Sequence, residues 1–185
     1  MDFKNQKFTA GFTLIELMVS VALFAIIVGV ISSIFFTSLQ SQRKAISFQG
    51  IFDQTSYLME YMSRNLRMAK RETEALTCLS AVNKNYEMTR NNKGVKFINS
   101  QNICQEFYLD ITTSRLKEAK SGAQEQYLTS ENSRVTAFNI AISDQAGLQP
   151  KVTFFIAIEK KGLKAELVSP GEFQTTLSQR KLNIQ

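Results

Sequence analysis

Three hydrophobic patterns follow one another along the chain. Residues 17–36 form a run of 20 positions without a charge. As a helix rising ~1.5 Å per residue, this run matches the ~30 Å hydrocarbon core of a bilayer. Beyond it, Ala45, Phe48, Phe52, Thr55, Met59, Met62, Leu66 and Ala69 recur by three and four, the spacing of one apolar helix face. Arg43, Lys44, Gln49, Asp53, Arg64 and Arg67 occupy the other side. No proline interrupts residues 12–149, so the pattern predicts one helix over 13–70, ~87 Å long. Gly29 and Gly50 are its soft points, each costing ~1 kcal/mol of propensity against alanine. The stripe from Ala45 to Ala69 suits a coiled-coil seam or a face covered by the chain's own sheet, and the second reading is preferred. Its methionines read as core fillers, not metal ligands.

From Ala75 the period changes to two. Residues 94–98, 106–111, 134–142, 151–158 and 173–180 read as strands. Turn signals stand at Asn91-Asn92, residues 144–147, residues 160–162 and Pro170-Gly171. In the fourth strand Phe154 and Ile156 alternate with Phe155 and Ala157, which suggests cover on both faces. The polar stretch 114–132 suits a hairpin or a mobile loop equally. The expected fold class is α+β: a long N-terminal helix, its first half membrane-spanning, packed by its second half on a small antiparallel β domain. The expected division is a leader at 1–11, a transmembrane helix at 12–40, its amphipathic continuation at 41–72 and a β-rich domain at 73–185.

Composition narrows the chemistry. The 185 residues contain no histidine, which removes His-based triads, His-ligated metals and the commonest general base. Two cysteines are too few for a structural zinc or iron–sulfur site but enough for one disulfide. No phosphate-cradling glycine loop, Gly-x-Ser-x-Gly elbow or metal-ligand spacing is present, so the chain reads as a non-enzyme without a cofactor. The net charge is +6. From Glu72 onward there are 14 basic and 12 acidic residues. The excess is spread along the chain and does not form the clustered basic face of a general nucleic-acid binder.

Glu16 needs an explanation, because it is the only charged side chain between Phe12 and Gln42. An acidic group at the centre of a membrane helix costs ~2.5–3.5 kcal/mol on translocon scales. The polar leader before it carries Lys4 and Lys7 and ends in Ala10-Gly11. A secretory signal would be cut after its apolar run, where Ser32-Ser33 is a poor site. Cutting after Gly11 instead would give Phe12 a free amine four residues before Glu16. The plainer alternative is a signal anchor with Glu16 near the headgroups.

The segment Gly11-Phe12-Thr13-Leu14-Ile15-Glu16-Leu17-Met18-Val19, after a short Lys-bearing leader, resembles the N-terminus of a type IV prepilin or pseudopilin. The resemblance implies cleavage between Gly11 and Phe12 by a membrane-embedded prepilin peptidase, then methylation of the Phe12 amine. It also implies that Glu16 neutralises the Phe12 amine of an adjacent subunit during filament assembly. Residues Met59 to Ala69 resemble the matching helix of minor pseudopilins of the J or PilW-like kind. Many type IV pilins carry a proline in this helix; here any loosening would begin near Gly29 and Ser32-Ser33. Retention of Glu16 argues against the tip-capping K type, which typically lacks that carboxylate.

The implied partners are prepilin peptidase, other pilin or pseudopilin subunits, the inner-membrane assembly platform and membrane lipid. The implied location is the cytoplasmic membrane, with the β domain outside it. The positive-inside rule does not decide orientation, because Lys4 and Lys7 on one side oppose Arg43 and Lys44 on the other. In an extracytoplasmic domain a Cys78–Cys104 bridge is preferred over two buried thiols, and closing that loop is worth roughly 3.5 kcal/mol in the chain-entropy model. The expected role is a minor structural subunit of a pilus, type II secretion pseudopilus or DNA-uptake fibre. A fibre-tip binding module, an adhesin or DNA receptor, is the alternative on the same scaffold.

Overall fold

The computed structural model describes residues 11–73, 77–143, 149–162 and 170–180. The leader before Gly11 and the turn expected at 144–147 lie outside the described residues. One helix, α1 (Leu14–Arg67), takes up most of the N-terminal third of the chain. Two compact units divide the chain, Met1–Arg43 and Lys44–Gln185.

In the first unit every described residue from 11 to 38 is exposed. The richest 18-residue window of the helix has a mean hydropathy of 2.8, and no part of that window is covered by the chain itself. Three hydroxyls inside this stretch bond back to the helix itself. Ser20, Ser32 and Thr37 donate to the carbonyls of Glu16, Val28 and Ser33 at 2.7, 2.8 and 2.9 Å. Such back-bonding one turn away makes a hydroxyl compatible with an apolar solvent.

In the second unit α1 buries Ser47, Ile51, Thr55, Leu58, Met62 and Leu66, and Ala69 continues the line. The face is covered by the chain's own sheets, as preferred from the sequence. The line itself differs from the expected stripe. Ala45, Phe48 and Phe52 are exposed and Met59 is half-buried, whereas Ile51 and Leu58 are core. The buried strip is narrow and includes the small residues Ser47 and Thr55. The large rings flank that strip, and Phe52 packs on Phe173 with ring centroids 5.9 Å apart.

Two antiparallel sheets complete the unit. The first is a meander of β1 (Tyr86–Thr89), β2 (Gly94–Ile98), β3 (Cys104–Asp110), β4 (Arg115–Lys120) and β5 (Gln126–Tyr127), paired in sequence order. The second is β6 (Ser133–Ser143), β7 (Lys151–Lys160) and β8 (Gly171–Ser178), also in order. The amides of Val135 and Ile140 on β6 donate to the carbonyls of Ser114 and Asn92, which lie in turns of the first sheet. The stretch 114–132 is therefore a hairpin region, holding β4 and β5. β1 was not foreseen from the sequence. The Asn91-Asn92 turn is present, with Arg90, Asn91 and Asn92 all at positive φ. Pro170-Gly171 is not a turn: Gly171 opens β8, where an added Cβ would fall 2.7 Å from the Phe173 ring and 3.3 Å from Ile51. On β7, Val152, Phe154, Ile156 and Ile158 face the core, and on the other side Ala157 is buried and Phe155 half-buried.

The end of α1 is capped by both sheets. A helix leaves its last carbonyls without intrahelical donors. Here the Tyr86 hydroxyl donates to the Leu66 carbonyl at 2.6 Å and the Arg180 amide to that of Arg67 at 2.8 Å. Just past the helix, the Gln179 side-chain amide donates to the Ala69 carbonyl at 2.8 Å, and the Lys70 amide to that of Ile98 at 2.8 Å.

A buried polar network joins α1 to the first sheet. The Tyr61 hydroxyl donates to Glu118 Oε1 at 2.8 Å, and Lys120 Nζ lies 3.1 Å from Glu118 Oε2. The Gln105 side-chain amide also donates to Glu118 and accepts from Asn99 at 2.9 Å. Glu118 is 4% exposed. Burial, followed by the neighbouring carboxylate, raises the Tyr61 hydroxyl above its ordinary pKa. Removing one member of such a network leaves the others desolvated and unpaired. Glu118→Ala is expected to destabilise the β domain by about 3 kcal/mol, and Glu118→Gln by distinctly less. Thermal unfolding of the full chain in micelles checks this, and an unchanged midpoint for Glu118→Ala would contradict it.

Candidate functional site

The helix start at Thr13 is written in the sequence as Thr-x-x-Glu ahead of an apolar run, the pattern of a capping box. The structure builds that box. The Glu16 amide donates to Thr13 Oγ1 at 3.4 Å, and the Thr13 amide donates back to Glu16 Oε2 at 3.4 Å. The Thr13 hydroxyl adds a bond to the same carboxylate oxygen at 3.3 Å. Glu16 also places its negative charge in the first helical turn, where the helix dipole favours it. The sequence reading treated Glu16 as a charge, either paired with an amine or tolerated near the headgroups, and missed this local role, although the spacing announced it.

The two residues flanking the expected cut are open. Gly11 has no heavy atom within 4 Å of where a Cβ would stand, and Phe12 is 85% exposed. Both precede the first helical turn, in backbone outside regular structure. The Gly11–Phe12 bond thus lies ahead of α1 and outside its hydrogen-bonded turns. The cap begins at Thr13 and would survive removal of the leader. The structure brings Glu16 to Thr13, while Lys4 and Lys7 lie outside the described residues.

Residues 7–32 match the family model described as the prokaryotic N-terminal methylation motif. The chain is type IV prepilin-like. No curated protein and no solved structure matches it. The matched stretch contains Gly11, Phe12 and Glu16 and the first half of the exposed apolar helix. For a prepilin-like chain the motif implies processing by prepilin peptidase and assembly of the pilin-family kind. Together with the apolar helix it fits a single-pass, membrane-anchored protein.

The other predicted pair lies in the β domain of this prepilin-like chain. Cys78 and Cys104 form a disulfide across 26 positions, with Cα atoms 5.3 Å apart. The bridge ties the loop after α1 to the start of β3. A second clamp on the same loop is Glu72, 3% exposed, whose carboxylate accepts from the amides of Leu79 and Cys78 at 3.0 and 3.1 Å. The Leu79 amide first, against the opposing cost of burial, holds the Glu72 carboxyl below its ordinary pKa. At the β3–β4 turn, Asp110 accepts from the Thr112 amide and the Thr113 hydroxyl and pairs with Lys117 at 2.8 Å. The Lys117 contact above all lowers the Asp110 carboxyl to about 2.

These carboxylates make the stability of the domain depend on pH on the acid side. A carboxyl whose folded pKa lies below its unfolded value stabilises the fold above the unfolded pKa, and that stability goes as pH falls through the folded one. The Asp110 contribution is thus complete near neutrality and lost between about pH 4 and pH 2. Thermal midpoints of the wild type should fall across that window, and Asp110→Asn should flatten the fall. An identical pH dependence in both proteins would contradict the assignment.

Proposed function

We propose that this chain is cut between Gly11 and Phe12, methylated on the new Phe12 amine, and assembled through α1 as a minor pilin or pseudopilin. The fibre would be a type IV pilus, a type II secretion pseudopilus or a DNA-uptake fibre, with the β domain outside the cytoplasmic membrane. The observation that carries this reading is a methylation motif placed on a helix whose apolar surface the chain leaves uncovered. The disulfide supports an oxidising compartment for the β domain, because bridges persist outside the cytoplasm. The chain performs no catalysis of its own in this reading.

Glu16 has two tasks in the proposal. Within the subunit it closes the capping box; between subunits it offers a carboxylate to the Phe12 amine of a neighbour. In a low dielectric each charge alone is desolvated without compensation, whereas the pair offsets both penalties. Two substitutions separate the tasks. Glu16→Gln keeps an acceptor for the cap and loses the charge, while Glu16→Leu loses both.

Gly11→Val should leave full-length precursor in the membrane, because a branched side chain then occupies the subsite shaped around glycine. Recovery of assembled fibre protein that retains Met1 would overturn the cleavage. Both Glu16 variants should be processed and inserted with protease-resistant β domains. Both should enter the fibre fraction about tenfold less than wild type, or worse. Normal assembly of Glu16→Gln beside failure of Glu16→Leu would reduce the role of Glu16 to the cap.

A further inference from the structure

The second unit has a groove of about 680 Å³ between the last turns of α1 and the end of β8. Its walls carry three guanidinium groups, from Arg64, Arg67 and Arg180, against a single carboxylate, Glu60. Glu60 and Arg64 approach only to 3.9 Å, with side chains 76% and 79% exposed, so that contact neutralises little. The groove has an unmet acceptor as well. Gln179 lines it and is 3% exposed; its amide nitrogen is taken by the Ala69 carbonyl, and among the described residues its Oε1 has no donor. A buried oxygen left this way costs free energy until a donor reaches it.

β8 and α1 run side by side in the same direction. Gly171 lies against Ile51, Phe173 against Phe52, and the Arg180 amide bonds the Arg67 carbonyl. Among the described residues β8 pairs with a strand on one side only, β7. Exposed strand edges are usually guarded by lysine, proline or a bulge. Residues 171–178 contain neither lysine nor proline, their one charge is Glu172 at the end away from the groove, and the β7–β8 register is unbroken. A basic groove between a helix and an unguarded edge strand is the setting in which an extended peptide can add to a sheet.

We propose that this groove docks an extended acidic segment of a partner protein. The segment adds along the free edge of β8, places carboxylates against Arg64, Arg67 and Arg180, and supplies an amide N–H to Gln179 Oε1. A nucleic acid is the poorer fit, since the domain's charge is close to balanced beyond the groove and phosphate binding draws on extended basic surface. Around the five-stranded sheet the two arginines are already engaged: Arg90 lies over Tyr108 and pairs with Glu106, and Arg115 lies over Tyr127.

The test uses the full chain in zwitterionic micelles and a fluorescent decapeptide of alternating Glu and Val. Saturable binding is expected, weakened by salt and reduced about tenfold or more by Arg64→Glu combined with Arg180→Glu. In the wild type, β8 amides should gain hydrogen-exchange protection when the peptide is added. A peptide N-methylated at alternate positions should lose binding. The proposal is overturned by absent saturable binding, by equal binding of a Lys-Val peptide, or by unchanged affinity in the doubly reversed variant. Displacement of the peptide by inorganic phosphate or duplex DNA at matched charge would make the groove a general anion site and likewise overturn it.

Discussion

Because an α-helix satisfies its own peptide groups, one helix can lie in two solvents, and the architecture of this chain rests on that freedom. Over residues 17–36 the side chains of α1 are uncharged and uncovered, and the hydroxyls of Ser20 and Ser32 bond back to the helix. A backbone that needed neighbouring strands or water could not sit there. From Ser47 onward the same helix carries a narrow buried strip, and the sheets form around it. The change of environment requires no break in the helix, which passes through Gly29 and Gly50 without interruption.

The consequence for the β domain is that α1 serves as its central core element. The buried cluster includes Ile51, Leu58, Met62 and Leu66 beside strand residues such as Phe97, Phe107, Phe138 and Phe154. The helix end is held by donors from both sheets, so its last turn is part of the domain's hydrogen-bond network. Farther back along the helix, polar contacts join it to each sheet: Tyr61 to Glu118 in the first and Gln54 to Ser133 in the second. A shift of the helix by one residue would take the Tyr61 hydroxyl away from Glu118 and leave that buried carboxylate with one donor fewer.

What could be read from the sequence depended on how local the signal was. The membrane helix, the Gly11–Phe12–Glu16 constellation and the strands around Val95, Phe138 and Phe154 are carried by short-range patterns. The residues of β4, Arg115–Lys120, looked like a polar connection, since Glu118 reads as a surface residue until Tyr61, 57 positions earlier, is set above it. Four of the eight positions of the helix stripe, Thr55, Met62, Leu66 and Ala69, are buried as expected, while Phe48, Phe52 and Met59 sit one residue off the line that leads the core. Ile51 and Leu58 lead it instead, beneath a closely packed strand. The capping box was legible in Thr13 and Glu16, but attention to the charge hid the hydrogen bond. The groove beside β8 is built by residues more than a hundred positions apart, so no local pattern marks it.

The central claim is that α1 changes solvent along its length while remaining one helix. Nitroxide labels at Phe24, Ile31, Arg43 and Asp53 of the full chain, reconstituted in phospholipid vesicles, test it directly. Phe24 and Ile31 labels should be relaxed by oxygen and shielded from a water-soluble nickel chelate. Arg43 and Asp53 labels should respond to the chelate. Equal access of the chelate to all four positions would contradict a helix that passes from lipid into a protein domain.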